Sequence, residues 1–242
     1  MLERFSRKHL GRVTGVGYTL EGKYDKRILD VLADEYLFYE SFIILYGFAR
    51  QKIYTKLKTF YTNTPYDRGA VFLYGSTIAQ TPITLFVNLE SRCINRSDAE
   101  RAIELINSGR YSLYISTPFT SNELTSLYRE RIHGMLKDLG VGRELIHPSY
   151  SLVVGNNRLF RDSLNSLLGS EILVALMTEV VVGRDSIMIE NNECIDQVSR
   201  KIKGFEKIYI EKLAKDVLDM LEARKVIDLE QKKSYLNMLV KT

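Results

Sequence analysis

Three acids stand close together at Glu190, Glu193 and Asp196, a residue type and spacing from which a divalent-cation site can be built. No matching ligands accompany them elsewhere, so this stretch reads as a solvated turn. The chain has only 3 histidines (His9, His133, His147) and 2 cysteines (Cys93 and Cys194, about a hundred positions apart), which leaves little for imidazole-based metal or triad chemistry. With no C-x-x-C pair, the cysteines are expected to be structural thiols in a reducing compartment such as cytoplasm, organelle matrix or virion. There is no G-x-x-x-x-G-K-[ST] loop and no G-x-S-x-G elbow, and Gly15-Val16-Gly17 is too short for a dinucleotide fingerprint. One layout remains, in residues 70–91: an apolar run into Gly75-Ser76, a short loop with Pro82, and a second apolar run ending in Asn88-Leu89-Glu90.

That layout resembles the core of the nucleotidyltransferase superfamily: a helix, a strand ending in Gly-Ser, a short turn, and a strand bearing two acids one residue apart. The resemblance implies that Gly75 and Ser76 hold a triphosphate, and that the acidic positions, here Asn88 and Glu90, hold the metals that bridge it. One carboxylate is then an amide, and Tyr111 to Ser116 offers no third acid. An active or degenerate nucleotidyltransferase is therefore the alternative reading, with Gly75, Ser76 and Glu90 as its nucleotide-binding residues. A second stretch, LIHPSYS from Leu145, then NNRL and LLGSEIL (167–173), resembles the opening motifs of the ribonuclease III domain. The metal-binding acids of that family align with Ser166 and Ser170, so this resemblance implies a non-cutting, ribosomal kind of relative.

Charge points to partners. The net charge is +4 with a pI near 8.9, and the excess gathers in Met1–Arg12, where Arg4, Arg7, Lys8 and Arg12 face a single acid, Glu3. A basic arm suits a phosphate backbone or an acidic protein surface. Lys52, Lys56 and Lys58, interleaved with Tyr54, Phe60 and Tyr61, form a second basic patch. The longest uncharged apolar stretch, Ser41 to Ala49, is far shorter than the roughly 20 residues of a spanning helix, so no membrane partner is expected.

The elements that must position these residues follow from periodicity. Asp25 to about Tyr61 has apolar residues at helical spacing and predicts two helices broken near Gly47. Residues 70–75 and 83–90 predict strands, and Tyr111–Ser116 a third. Ser97 and Glu100 read as a capping box opening a helix to Asn107, and Thr120–Glu123 as another, opening a helix to Gly140. A Leu-rich helical stretch follows, then a strand-turn-strand around Gly183, an amphipathic helix over Phe205–Ala223 and a shorter closing helix. Over Phe205–Lys225 lysines and acids nearly balance, which counts against a basic, DNA-reading face. The fold class expected is α+β (mixed α/β), with helices packed on a small mixed sheet and a more helical C-terminal part. Its parts are a basic arm (1–24), an α/β domain (25–140) and a mainly helical region (141–242), or one continuous domain. Because no catalytic ligand set assembles in the sequence and no cofactor is implied, the leading expectation is a non-catalytic structural or adaptor subunit of a virion or ribosome-like particle. It would be held to other protein subunits, and to RNA or DNA backbone, partly by the basic residues.

Overall fold

Val13 to Thr19 reads VTGVGYT, rich in residues that favour a pleated surface, and it forms the first strand, buried on both faces. A computed structural model describes residues 12–19, 23–46, 53, 55–62, 68–119, 123–147, 150–163, 171–195 and 205–241. In chain order the elements are β1 (Val13–Thr19), α1 (Lys26–Leu32), β2 (Glu40–Tyr46), β3 (Lys58–Thr62), α2 (Arg68–Ile78), β4 (Ile83–Asn88), α3 (Arg96–Asn107) and β5 (Leu113–Phe119). They continue with α4 (Glu123–Tyr128), a π-helical turn (Arg129–His133), α5 (Gly134–Asp138), β6 (Leu152–Asn156), α6 (Asn157–Ser163), α7 (Glu171–Val181), β7 (Ile187–Ile195), α8 (Phe205–Ala223) and α9 (Leu229–Lys241).

The strands form one 7-stranded sheet in the order β3-β2-β1-β4-β6-β5-β7. β1 to β4 run parallel, β6 is antiparallel to both β4 and β5, and β7 is parallel to β5. The carboxyl ends of β1, β4 and β5 therefore open on the same edge. Helices cover both faces, so the protein is a mixed α/β fold. On one face α1 and α3 bury Ile28, Leu32, Ala102 and Ile103 against Val87 and Leu85. On the other, α2 and the C-terminal helices pack on Val16, Tyr18 and Phe86, around a cluster in which Phe86 lies edge-on to Phe72 at 4.7 Å and to Phe160 at 4.8 Å between centroids. Among the described residues, no helix is long and apolar enough to cross a membrane.

Several expectations are corrected here. Residues 25–61 are not two helices: α1 is short, and the stretch Ser41-Phe42-Ile43-Ile44-Leu45 belongs to β2. A parallel strand buried on both faces shows no polar alternation, so its period is lost and it reads as buried helix. The reverse happens at 70–75, expected as a strand and found inside α2. That helix packs between the sheet and α6, and its wet positions, Tyr74 and Thr77, come too late in the apolar run to mark the period. The capping box of α3 is made by Asn95 and Asp98, two positions before Ser97 and Glu100: Asn95 Oδ1 accepts from Asp98 N–H at 3.2 Å and Asp98 Oδ2 from Asn95 N–H at 2.8 Å. Residues 13–19, read as part of the basic arm, are the central strand, and the sheet draws strands from 25–140 and from 141–242 alike. Of the stretch that resembled ribonuclease III, Leu145, Ile146, His147, Tyr150 and Ser151 lie outside helix and strand and β6 follows them, while Pro148, Ser149, Ser166 and Ser170 lie outside the described residues, as do Gly47 and Thr120. The α8 helix spans Phe205–Ala223 as its amphipathic stripe predicts.

Candidate functional site

From β1 the chain steps to β2 and β3 on one side; from β4 it passes to β5 on the other. The strand order reverses between β1 and β4, and in open α/β sheets the crevice beyond the carboxyl ends of such a pair is where ligand sits. Register brings specific residues there. Tyr18 lies opposite Asn88, and Leu89 N–H donates to Tyr18 O at 2.8 Å, so Thr19 and Leu89-Glu90 leave the sheet side by side. The Thr19 hydroxyl donates to Glu90 Oε1. Asn88 Oδ1 accepts from the backbone N–H of Glu90 at 3.0 Å, turning the chain sharply at the strand end. From the neighbouring β6, Ser151 O accepts from Asn88 N–H at 3.0 Å, and Ser151 N–H donates to Ser116 O at 3.0 Å.

Charge at this edge comes from both signs. Asp25 N–H donates to Leu89 O at 2.7 Å, which locks the start of α1 beside the end of β4. The Arg27 guanidinium, 2.5 Å from Asp25 Oδ2, holds the Asp25 carboxyl below the usual carboxylate range, and Arg92 adds a smaller Coulombic pull in the same direction. Arg92 is thus within electrostatic reach of Asp25, exposed, and two residues past Glu90. Its neighbour Cys93 is buried and disulfide-bonded. The expectation of two structural thiols is corrected at that position: distance along the chain hides a pairing that the fold makes.

Gly75 and Ser76 lie elsewhere. Both are buried in α2, where Ser76 Oγ donates to Leu73 O at 3.1 Å and Ser76 O accepts from Arg161 Nε at 3.1 Å. Arg161 sits on α6, directly after β6 has paired its last residue, Asn156, with the first of β4, Ile83. The Gly-Ser pair therefore lies in the helix layer over the face of the sheet, Gly75 against Phe86 and Ile44, while Glu90 lies past the carboxyl end of β4, and the arrangement implied by the nucleotidyltransferase resemblance is not formed. Of the other acids considered, Glu190 on β7 accepts from the Tyr114 hydroxyl and pairs with Arg101 at 2.5 Å. Burial, and then that hydrogen bond, push the Tyr114 phenol up from its ordinary value. The side chain of Glu193, and Asp196, lie outside the described residues. So do Arg4, Arg7, Lys8 and Lys52; Arg12 is exposed just before β1, and Lys56 and Lys58 are exposed at the edge strand β3. Sequence reading reached Asn88 and Glu90 but missed Thr19 and Arg92. The signal for Thr19 was available in the β-rich text of 13–19. Gly17 adds to it, because a Cβ there would stand 2.6 Å from Leu32 Cδ1 and 2.8 Å from Leu89 Cδ2, so only glycine lets α1 and the β4 turn close over β1.

No family model matches the chain, and no curated protein matches it. Solved structures do. Glucosyl-3-phosphoglycerate synthase from Mycobacterium tuberculosis superposes with a TM-score of 0.69 at 14% identity, over 90% of this chain and 82% of the synthase. The same synthase solved with Mn2+, uridine diphosphate and glucosyl-3-phosphoglycerate gives 0.66 at 12% identity, over 95% and 88%. A further mycobacterial protein gives 0.70 at 13% identity, over 87% and 74%. At these identities the likeness is one of fold alone. The expectation of a structural or adaptor subunit of a virion or ribosome-like particle is contradicted by this likeness: the structures on which nearly the whole chain superposes are those of a synthase and not of an assembly component. The nucleotide-handling alternative stands closer, although its Gly-Ser half is misplaced.

The synthase complex holds Mn2+, so the donors at this edge bear testing against a divalent ion. They do not fit one. Of the two alternate positions at the end of β4, Asn88 brings a neutral amide whose oxygen already accepts from Glu90 N–H, and only Glu90 brings a carboxylate, already engaged by Thr19. Among the described residues, no group of three or more His, Cys, Asp or Glu side chains is placed to hold a metal ion.

Proposed function

We propose that this protein is a glycosyltransferase-type enzyme that binds a nucleoside diphosphate sugar at the carboxyl ends of β1 and β4 and passes the sugar to an acceptor. The observation that carries the reading is the strand order β3-β2-β1-β4-β6-β5-β7 with a lone antiparallel β6, matched over most of the chain in an enzyme solved with uridine diphosphate and its glucosylated product. The chemistry asks for little covalent work from the protein. The sugar's anomeric carbon exchanges its bond to the diphosphate oxygen for one to an acceptor hydroxyl oxygen, the acceptor loses a proton, and the nucleoside diphosphate leaves with the bonding pair. What the enzyme must supply is orientation and compensation of the charge that grows on the departing diphosphate.

In this chain Thr19, Asn88, Leu89 and Glu90 are held against one another by backbone and side-chain hydrogen bonds, which gives the rigid rim such a ligand needs. Uridine diphosphate and UDP-glucose are the first probes, followed by other uridine and guanosine diphosphate sugars. Saturation-transfer NMR or calorimetry on the full chain should detect binding of one of them, and a coupled assay for released nucleoside diphosphate should detect its turnover. Absence of binding across the panel would end this reading.

A further inference from the structure

We infer that the diphosphate site of this protein works without a divalent cation, with the guanidinium of Arg92 in the place such an ion would take. This inference rests on the nucleotide-sugar reading above and deepens it. Three observations carry it. The alternate positions at the end of β4 offer one carboxylate where a bridging ion needs several oxygen donors, and the amide at the other position is spent on the turn, its oxygen 3.0 Å from Glu90 N. The remaining carboxylate is held back against β1 by the Thr19 hydroxyl. A permanent cation, Arg92, is exposed immediately past that turn, on a segment tied down from both sides by the Asp25 N–H to Leu89 O bond at 2.7 Å and by the disulfide at Cys93. A guanidinium donates in a fork that matches phosphate oxygens and never loses its charge, so it serves a leaving diphosphate as a fixed counter-ion.

The same geometry gives Glu90 a role opposite to that of a metal ligand. Its charge stands near the place where the diphosphate would lie, and its visible work is to hold Thr19 and the β4 turn together. Removing that charge while keeping the acceptor should help an anion to bind, whereas in a cation-bridged site it would remove a ligand. The two accounts therefore differ in sign.

The test is calorimetric titration of the full native chain with uridine diphosphate, once in EDTA and once in millimolar Mn2+. The expected result is affinities within about threefold of each other in the two buffers, a loss of about tenfold in EDTA for Arg92→Ala with recovery in Arg92→Lys, and equal or tighter binding for Glu90→Gln. Arg92 is exposed, so thermal unfolding of its variants should match that of the native chain. Asn88→Asp, which restores the second carboxylate, should introduce an Mn2+-dependent gain that the native chain lacks. Binding that EDTA abolishes, a Glu90→Gln variant that no longer binds, or an Arg92→Ala variant with native affinity each overturns the inference while leaving the nucleotide reading intact. No binding in either buffer overturns that reading and the inference with it.

Discussion

Gly75→Ala separates the two accounts of the Gly-Ser pair by the sign of what it changes. A methyl added at 75 would lie 2.6 Å from Phe86 Cε1, 3.2 Å from Phe86 Cζ and 3.4 Å from Ile44 Cδ1. Carbon pairs settle at about 3.5–4.0 Å, so the Phe86 ring must retreat by roughly 1 Å. It has nowhere to go, being fully buried with Phe72 edge-on at 4.7 Å and Phe160 at 4.8 Å. Overpacking of this kind costs about 1–3 kcal/mol. Alanine inside a helix returns about 1 kcal/mol relative to glycine. The net destabilisation is then about 0–2 kcal/mol, which in a chain of this length lowers Tm by up to roughly 8 °C. Thermal unfolding by circular dichroism measures it, and a uridine diphosphate titration of the same sample at low temperature should show native affinity. The double variant Gly75→Ala/Phe86→Leu should be less destabilised than the sum of its single changes, because the smaller side chain vacates the contested space. If Gly75→Ala instead kept or raised Tm while weakening nucleotide binding, the pair would be a phosphate loop after all, and the helix-to-sheet packing described here would be wrong.

Three further outcomes follow from buried groups. Asp216 has an Oδ2 buried without a hydrogen-bond partner, and burial, against a smaller pull from Lys212, raises its pKa from 3.8 to about 6. A folded-state pKa above the unfolded value means stability that is present below about pH 4 and lost as pH climbs through about 6. Asp216→Asn should therefore stabilise the protein at pH 7 in urea unfolding, with the advantage gone by pH 4; an advantage that persists at pH 4 would contradict the assignment. Tyr128, fully buried, donates its hydroxyl to Leu145 O at 2.8 Å, so Tyr128→Phe leaves that carbonyl unpaired and should cost about 1–3 kcal/mol in the same assay. Finally, the chain unfolded in guanidinium without reductant should show no thiol to Ellman's reagent, and titration of both its 2 cysteines would contradict the disulfide at Cys93.

What could be read directly from the residues was whatever is local. The α8 stripe, the strand at 83–88 and the helix-closing glycine at 140 announce themselves within a few positions, because period, capping and positive φ are properties of neighbours in the chain, whereas the strand-turn-strand expected around Gly183 is the end of α7 followed by β7. The mixed α/β class followed from the alternation of such segments. Asn88-Leu89-Glu90 was legible as the end of that strand, where the apolar run stops at an amide and an acid.

Only the tertiary structure could decide which distant segments meet. Ser41-Phe42-Ile43-Ile44-Leu45 and Ala70-Val71-Phe72-Leu73-Tyr74 are both short apolar runs, one a strand and the other a helix. Burial on both faces removes the polar alternation of the first, and the second shows a single exposed residue, Tyr74, too few to mark a helical period. The rim of the candidate site joins Thr19 to Glu90 and Asp25 to Leu89, contacts that sheet register creates and no spacing announces. Gly75-Ser76, close to that strand in sequence, sits in a helix on the face of the sheet because the chain must cross the sheet before β4 can begin. The order of strands, which no local signal encodes, gave the chain the fold it shares with the solved synthase.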